Sequence, residues 1–104
     1  MHMDFKSMSN KAILAEIGDR ISRRRLNQNV SQIELARLAG ISRIVVQRLE
    51  SGLGCKLESL IQILRGLNLI DQLDTFLPEQ GISPIQLAKL KGNERRRATR
   101  RQQK

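Results

Sequence analysis

Aromatic side chains are nearly missing from this 104-residue chain: it has no Trp, no Tyr, and only Phe5 and Phe76. Proteins that hold single-stranded nucleic acid stack its bases on aromatic platforms, so RNA is the poorer fit as a partner. The one cysteine, Cys55, cannot close an internal disulfide. With no Cys/His grouping to make a zinc site, it reads as a plain residue in a reducing compartment. The one histidine, His2, lies in the leader. No Ser/His/Asp or Cys/His arrangement and no Gly-rich phosphate loop can be placed, so no catalytic residue, cofactor or metal is expected. Nor is there an apolar run near the roughly 18 residues that a membrane span needs, or a signal-peptide apolar region. The expectation is a cytoplasmic, nucleoid-associated protein with no membrane partner and no enzymatic activity.

Acidic residues are also scarce. Ten Asp and Glu stand against 19 Lys and Arg, a net charge of +9. That balance calls for an anionic partner, nucleic acid first among them. The excess is concentrated at one end: residues 89–104 carry eight basic residues and one acid, net +7, which leaves +2 for residues 1–88. The length allows one domain with a modest core, plus tails.

The chain is organised around Ser31 to Gly52, reading SQIELARLAGISRIVVQRLESG. Ser31 is placed as an N-cap with Glu34 completing a capping box, and Leu35, Ala36 and Ala39 share one face. Gly40 can take the left-handed conformation that ends a helix, and Ile41 can pack back on the core. Ser42 then caps a second helix, in which Val46 and Leu49 continue the inward stripe. Arg43, Ile44, Gln47, Arg48 and Ser51 fall on the opposite face. Two short helices joined by one turn predict a helix-turn-helix. The outward residues suit a DNA major groove: Arg grips guanine with two bonds, Gln pairs with adenine, and Ile packs on a thymine methyl. Gln32, at the start of the first of these helices, is placed for a phosphate. The plainer alternative is two ordinary helices of a small bundle with a solvated face.

Around this stretch the periodicity predicts further helices. Met1 to Met8 reads as a flexible leader. A helix from Ser9 or Asn10 to about Asn27 puts Ile13 or Leu14, Ile17 and Ile21 on one stripe. Arg25 lies four beyond Ile21 on that stripe, and Glu50 lies four beyond Val46 on the other, so the two charges are expected to meet as a partly buried pair. Arg23 and Arg24 are more exposed, within reach of phosphate or simply solvated. Asn29 suits a positive φ. Lys56 ends a short connector and can sit near a DNA backbone. A helix from Leu57 is expected to put Leu57, Leu60, Ile61, Leu64 and Leu67 in the core, with Asn68 closing it. A last short helix over residues 70–77 carries Ile70, Leu73, Phe76 and Leu77, part of which is left for the interface of a two-fold dimer. Pro78 to Gly81 breaks the pattern. Ser83-Pro84-Ile85-Gln86 then restarts a helix to about Lys91. The basic run Arg95, Arg96, Arg97, Arg100 and Arg101 contains no large apolar residue and is expected to be disordered alone.

Through Ser-Gln-x-Glu-Leu-Ala, Gly40-Ile41-Ser42 and Leu49-Glu50-x-Gly52, residues 13–77 resemble the Xre/Cro-type, lambda-repressor-like regulators. The resemblance implies an all-α fold of five helices, here with a short extra C-terminal helix and a basic tail. The corresponding parts are a leader over 1–8, a DNA-binding domain over 9–78 and an extension over 79–104. It further implies a homodimer on a roughly palindromic double-stranded operator. Arg43, Ile44 and Arg48 fall at base-reading positions with Gln47 beside them, and Gln32 at a phosphate contact, with Ser42, Lys56 and Arg24 as further phosphate candidates. The Arg25–Glu50 pair belongs to the same pattern. Ile44 departs from the polar residue often found at its position, which points to shape or a methyl group as what it reads.

The C-terminal half has a second likeness. Leu57-Glu58-Ser59-Leu60, Leu67-Asn68-Leu69-Ile70-Asp71, Phe76-Leu77-Pro78, Ser83-Pro84 and Leu90-Lys91-Gly92 with its basic tail are similar to HipB-like antitoxins that accompany HipA-like serine/threonine kinase toxins. That likeness implies a kinase partner that the protein restrains, and repression of its own operon. The 83–91 helix and the Arg tail would touch the toxin or flanking DNA. The alternative is a stand-alone phage-type or chromosomal regulator, and a third reading is an RNA-binding or protein-interaction module in which the arginine tail is the active part.

Overall fold

The computed structural model describes residues 4–81 and 83–92. Among them there are six α-helices and no strand. The helices are α1 (Asn10–Asn27), α2 (Gln32–Ala39), α3 (Arg43–Glu50), α4 (Leu57–Gly66), α5 (Gln72–Phe76) and α6 over residues 84–92. The fold is therefore the small all-helical one expected. Residues up to Leu73 form one compact unit, and those from Asp74 onward a second.

Serine hydroxyls start the first three helices. Ser9 Oγ accepts from the Ala12 amide at 3.1 Å, Ser31 Oγ from Glu34 at 3.1 Å and Ser42 Oγ from Val45 at 3.4 Å. At α2 the Glu34 carboxylate also accepts from the Ser31 amide at 3.3 Å, so both halves of the capping box are present. Gly40 ends α2 with φ +70°, and the Ile41 amide reaches back to the Ala36 carbonyl at 3.0 Å. This left-handed stop turns the chain within three residues into α3. Asn29 and Asn68 take positive φ, 58° and 60°, after α1 and α4.

The core of the first unit is Ile21, Leu35, Ala36, Ala39, Val46, Leu49, Ile63 and Leu67, with Ile17, Val30, Ile41, Cys55, Leu60, Leu64 and Leu69 packed against it. Helix α2 packs on both α3 and α4, and α1 packs on α3. Two small residues allow the close approaches. A Cβ on Gly18 would lie 2.2 Å from the Leu49 carbonyl oxygen, so α1 crosses α3 at a point where only glycine fits. Gly66 of α4 sits against Leu35 and Ala39 of α2.

Three expectations are corrected here. Leu57 is not core: it is 73% exposed, while Ile63 is fully buried. The inward stripe of α4 is Leu60, Ile63, Leu64 and Leu67, the i, i+3, i+4, i+7 set. Leu57 is one turn earlier, at the first helical position. The last short helix is shorter than expected, because the turn after Asn68 takes up residues 70 and 71 and Pro78 follows closely behind. The leader is not featureless either. Asp4 caps a 3-10 turn over Phe5–Ser7, and the Phe5 ring lies 5.2 Å beneath the Arg20 guanidinium.

The second unit holds α6, which Ser83 caps through the Gln86 amide at 3.2 Å. The tail arginines 95, 96, 97, 100 and 101 lie outside the described residues.

Candidate nucleic-acid interface

Helix α3 has two unlike faces. Val46 and Leu49 are buried, whereas Arg43, Ile44, Gln47, Arg48 and Ser51 are exposed. Ile44 is 65% exposed in the middle of this polar face, an apolar side chain left largely uncovered by the described residues. Neither Arg43 nor Arg48 has an acidic partner among the described residues. Their guanidinium donors are free for an anionic or acceptor-rich surface.

What holds this face in place is a three-helix junction at the end of α3. Arg25 of α1 donates from Nε to Glu50 Oε2 at 2.7 Å and from Nη2 to Oε1 at 3.0 Å, the two-pronged geometry that suits guanidinium and carboxylate. Its Nη1 donates to the Val30 carbonyl at 2.9 Å. Both side chains are almost enclosed, at 10% and 6% exposure. Gln32 Nε2, from the first turn of α2, donates to Glu50 Oε1 at 3.1 Å. One carboxylate thus ties together α1, α2 and α3. Burial alone would raise the Glu50 pKa, but the hydrogen bonds from Arg25 and Gln32 and the Arg25 charge outweigh it and hold the carboxyl below its ordinary range. The hydrogen bond to Glu50 conversely raises the pKa of Arg25. Gln32, expected at a phosphate, is half-buried and has one amide hydrogen committed to Glu50, with the second still available.

The remaining phosphate candidates lie around this frame. Ser42 and Arg24 are exposed, and the Ser42 hydroxyl is already engaged as the cap of α3. Lys56 is exposed at the N-cap of α4 and, unlike Ser9, Ser31 and Ser42, makes no side-chain cap bond. The first-turn amides of α4 therefore lack the usual side-chain acceptor. Beside them runs a groove of about 280 Å³ with Arg48 and Lys56 on its walls and Ser59 and Cys55 within it. Arg48, expected to read a base, and Lys56, expected at a phosphate, thus line one groove. Ser59 went unread in the sequence, since a lone serine on the first turn of an amphipathic helix carries no signal of its own. Burial pushes the Cys55 thiol pKa up, which keeps it protonated. No group of His, Cys, Asp and Glu that could hold a metal occurs among the described residues.

Residues 21–71 match a protein-family model described as helix-turn-helix. This segment is a helix-turn-helix domain. Its fold is lambda-repressor-like, and the matched span takes in the whole α2–turn–α3 unit with the Arg25–Glu50 junction. The match supports a DNA-binding transcription regulator. No curated protein matches the chain. None of the described helices is long and apolar enough to cross a membrane.

The residues expected at a dimer interface differ in exposure. Ile70 and Leu73 are half-buried, and Phe76 and Leu77 are exposed.

Proposed function

We propose that the protein is a repressor that binds a palindromic operator as a homodimer, with Arg43, Ile44, Gln47 and Arg48 reading base edges in the major groove. The observation that carries this reading is the unpaired, outward donor face of α3, anchored at its base by the enclosed Arg25–Glu50 pair. Gln32, Ser42 and Lys56 bind phosphates and set the register of α3 along the duplex. Ile44 packs on a thymine methyl, which recovers apolar contact where a polar side chain would add a hydrogen bond. The test is a gel shift on the duplex upstream of the protein's own gene, against a scrambled duplex of equal length. Preference for the upstream duplex is expected; equal affinity for both would overturn the reading.

The reading extends to a partner. The protein serves as the antitoxin of a HipA-like serine/threonine kinase, restraining it and repressing the shared operon. The order of motifs from Leu57 to the basic tail supports this, together with the exposure of Ile85, Leu87 and Leu90 on α6. Co-purification with a kinase encoded beside the gene is the expected result. A kinase neighbour that does not bind, or a neighbourhood with none, leaves the stand-alone regulator.

A further inference from the structure

On the helix-turn-helix domain, between the C-terminal half of α1 and the end of α4, lies a second groove, of about 370 Å³. Its floor is apolar, built from Ile21, Leu64 and Leu69, and its α1 rim carries Arg20, Arg23 and Arg24. Arg20 is held by a one-turn surface pair to Glu16 at 2.8 Å and by the Phe5 ring beneath it, Arg23 by a one-turn pair to Asp19 at 2.8 Å, and Arg24 has no acidic partner among the described residues. Such exposed pairs contribute little and give way readily to another carboxylate. The groove is therefore fitted to a segment that is both acidic and apolar.

The chain itself contains one. Residues 71–79 read DQLDTFLPE, with three acids and no basic residue, a net −3 within a chain of +9. Phe76 and Leu77 in this segment are each 76% exposed. Gln72, near its start, already lines the lip of the groove. One molecule thus carries both the acceptor and the donor surface, which is what a two-fold, self-complementary interface requires.

We infer that the groove receives the 71–79 segment of a second copy, Phe76 and Leu77 entering over Leu64 and Leu69 while Asp74 and its neighbouring acids meet the arginine rim. The inference rests on the homodimer reading and names its surface. Opposite charges facing across the two-fold set register and orientation, and the apolar pair supplies the burial.

Sedimentation equilibrium on the full chain tests it, with thermal melting of each variant as the check on folding. Arg24→Glu and Asp74→Arg should each weaken self-association by about ten-fold or more, and the double variant should recover most of the loss. Phe76→Ser should weaken it without touching a charge. A chain that stays monomeric, or a dimer indifferent to the two single charge variants, would overturn the inference. Binding to a duplex bearing a single half-site separates it from the regulator reading. Specific half-site binding by a monomeric protein removes the docking and keeps the regulator. Self-association that obeys the charge exchange, with no sequence preference on DNA, keeps the docking and removes the regulator.

Discussion

Glu50 is the residue on which three helices converge, and its ionisation is a stability term. Its carboxyl is held below the ordinary glutamate pKa of about 4.3 in the folded chain. A depressed pKa contributes stability that is fully present above the unfolded value and is lost as pH falls through the folded value. Urea unfolding measured between neutral and strongly acid pH should show that loss, and Glu50→Gln should flatten it. Glu50→Ala leaves Arg25 enclosed without its partner and should cost about 3 kcal/mol, read as a lower urea midpoint at unchanged slope. Gly18 is the second residue of this kind. Gly18→Ala would raise intrinsic helix propensity, yet the Leu49 carbonyl occupies the place of the new methyl. The crossing should lose about 2 kcal/mol in the same assay. These two residues differ in legibility. Charges at positions 25 and 50 stand out because they interrupt apolar stripes. Gly18 interrupts nothing, and its reason lies in a chain segment some thirty residues away.

At the scale of elements, the starts and stops of α1 to α3 were legible because each depends on local chemistry: a serine cap, a glycine or asparagine at positive φ. The register of α4 was not, because Leu57, Leu60, Ile61, Ile63, Leu64 and Leu67 offer more apolar positions than one face can bury. Which of them is chosen depends on where Leu35, Ala39 and Gly66 let α2 approach. The start of α4 also separates stability from binding. Lys56→Ser supplies the missing cap acceptor and should stabilise the fold by about 0.5–1 kcal/mol in thermal melts. The same change removes a cation from the Arg48 groove, so DNA affinity should fall and the slope of log affinity against log salt should flatten by about 0.9. On α3, Arg43→Ala and Arg48→Ala probe base reading. If the arginine reads a base, its loss costs about 1–3 kcal/mol at defined positions of the operator; if it grips backbone, all sequences weaken together. The exposed face of Arg43 favours the first outcome, and the groove that Arg48 shares with Lys56 makes Arg48 the sharper test.

Across the whole molecule, charge and fold are distributed separately. The helix-turn-helix domain, with the leader and the first ten residues of the C-terminal extension, carries +2, and residues 89–104 carry +7. A domain of such modest charge gains its sequence preference from short-range contacts on α3. A basic run acts through counterion release, which is insensitive to base sequence. Deleting residues 93–104 removes six basic side chains and one acid. If the run lies along DNA, affinity for operator and for scrambled duplex should drop together, leaving their ratio unchanged. The salt slope should become shallower by at most about 5, the release expected from six phosphates. If the run instead serves a protein partner, the salt slope on free DNA should stay as it was while kinase binding is lost. Gel shifts of the full and shortened chains at several salt concentrations therefore decide whether +7 of the +9 belongs to the operator or to the partner.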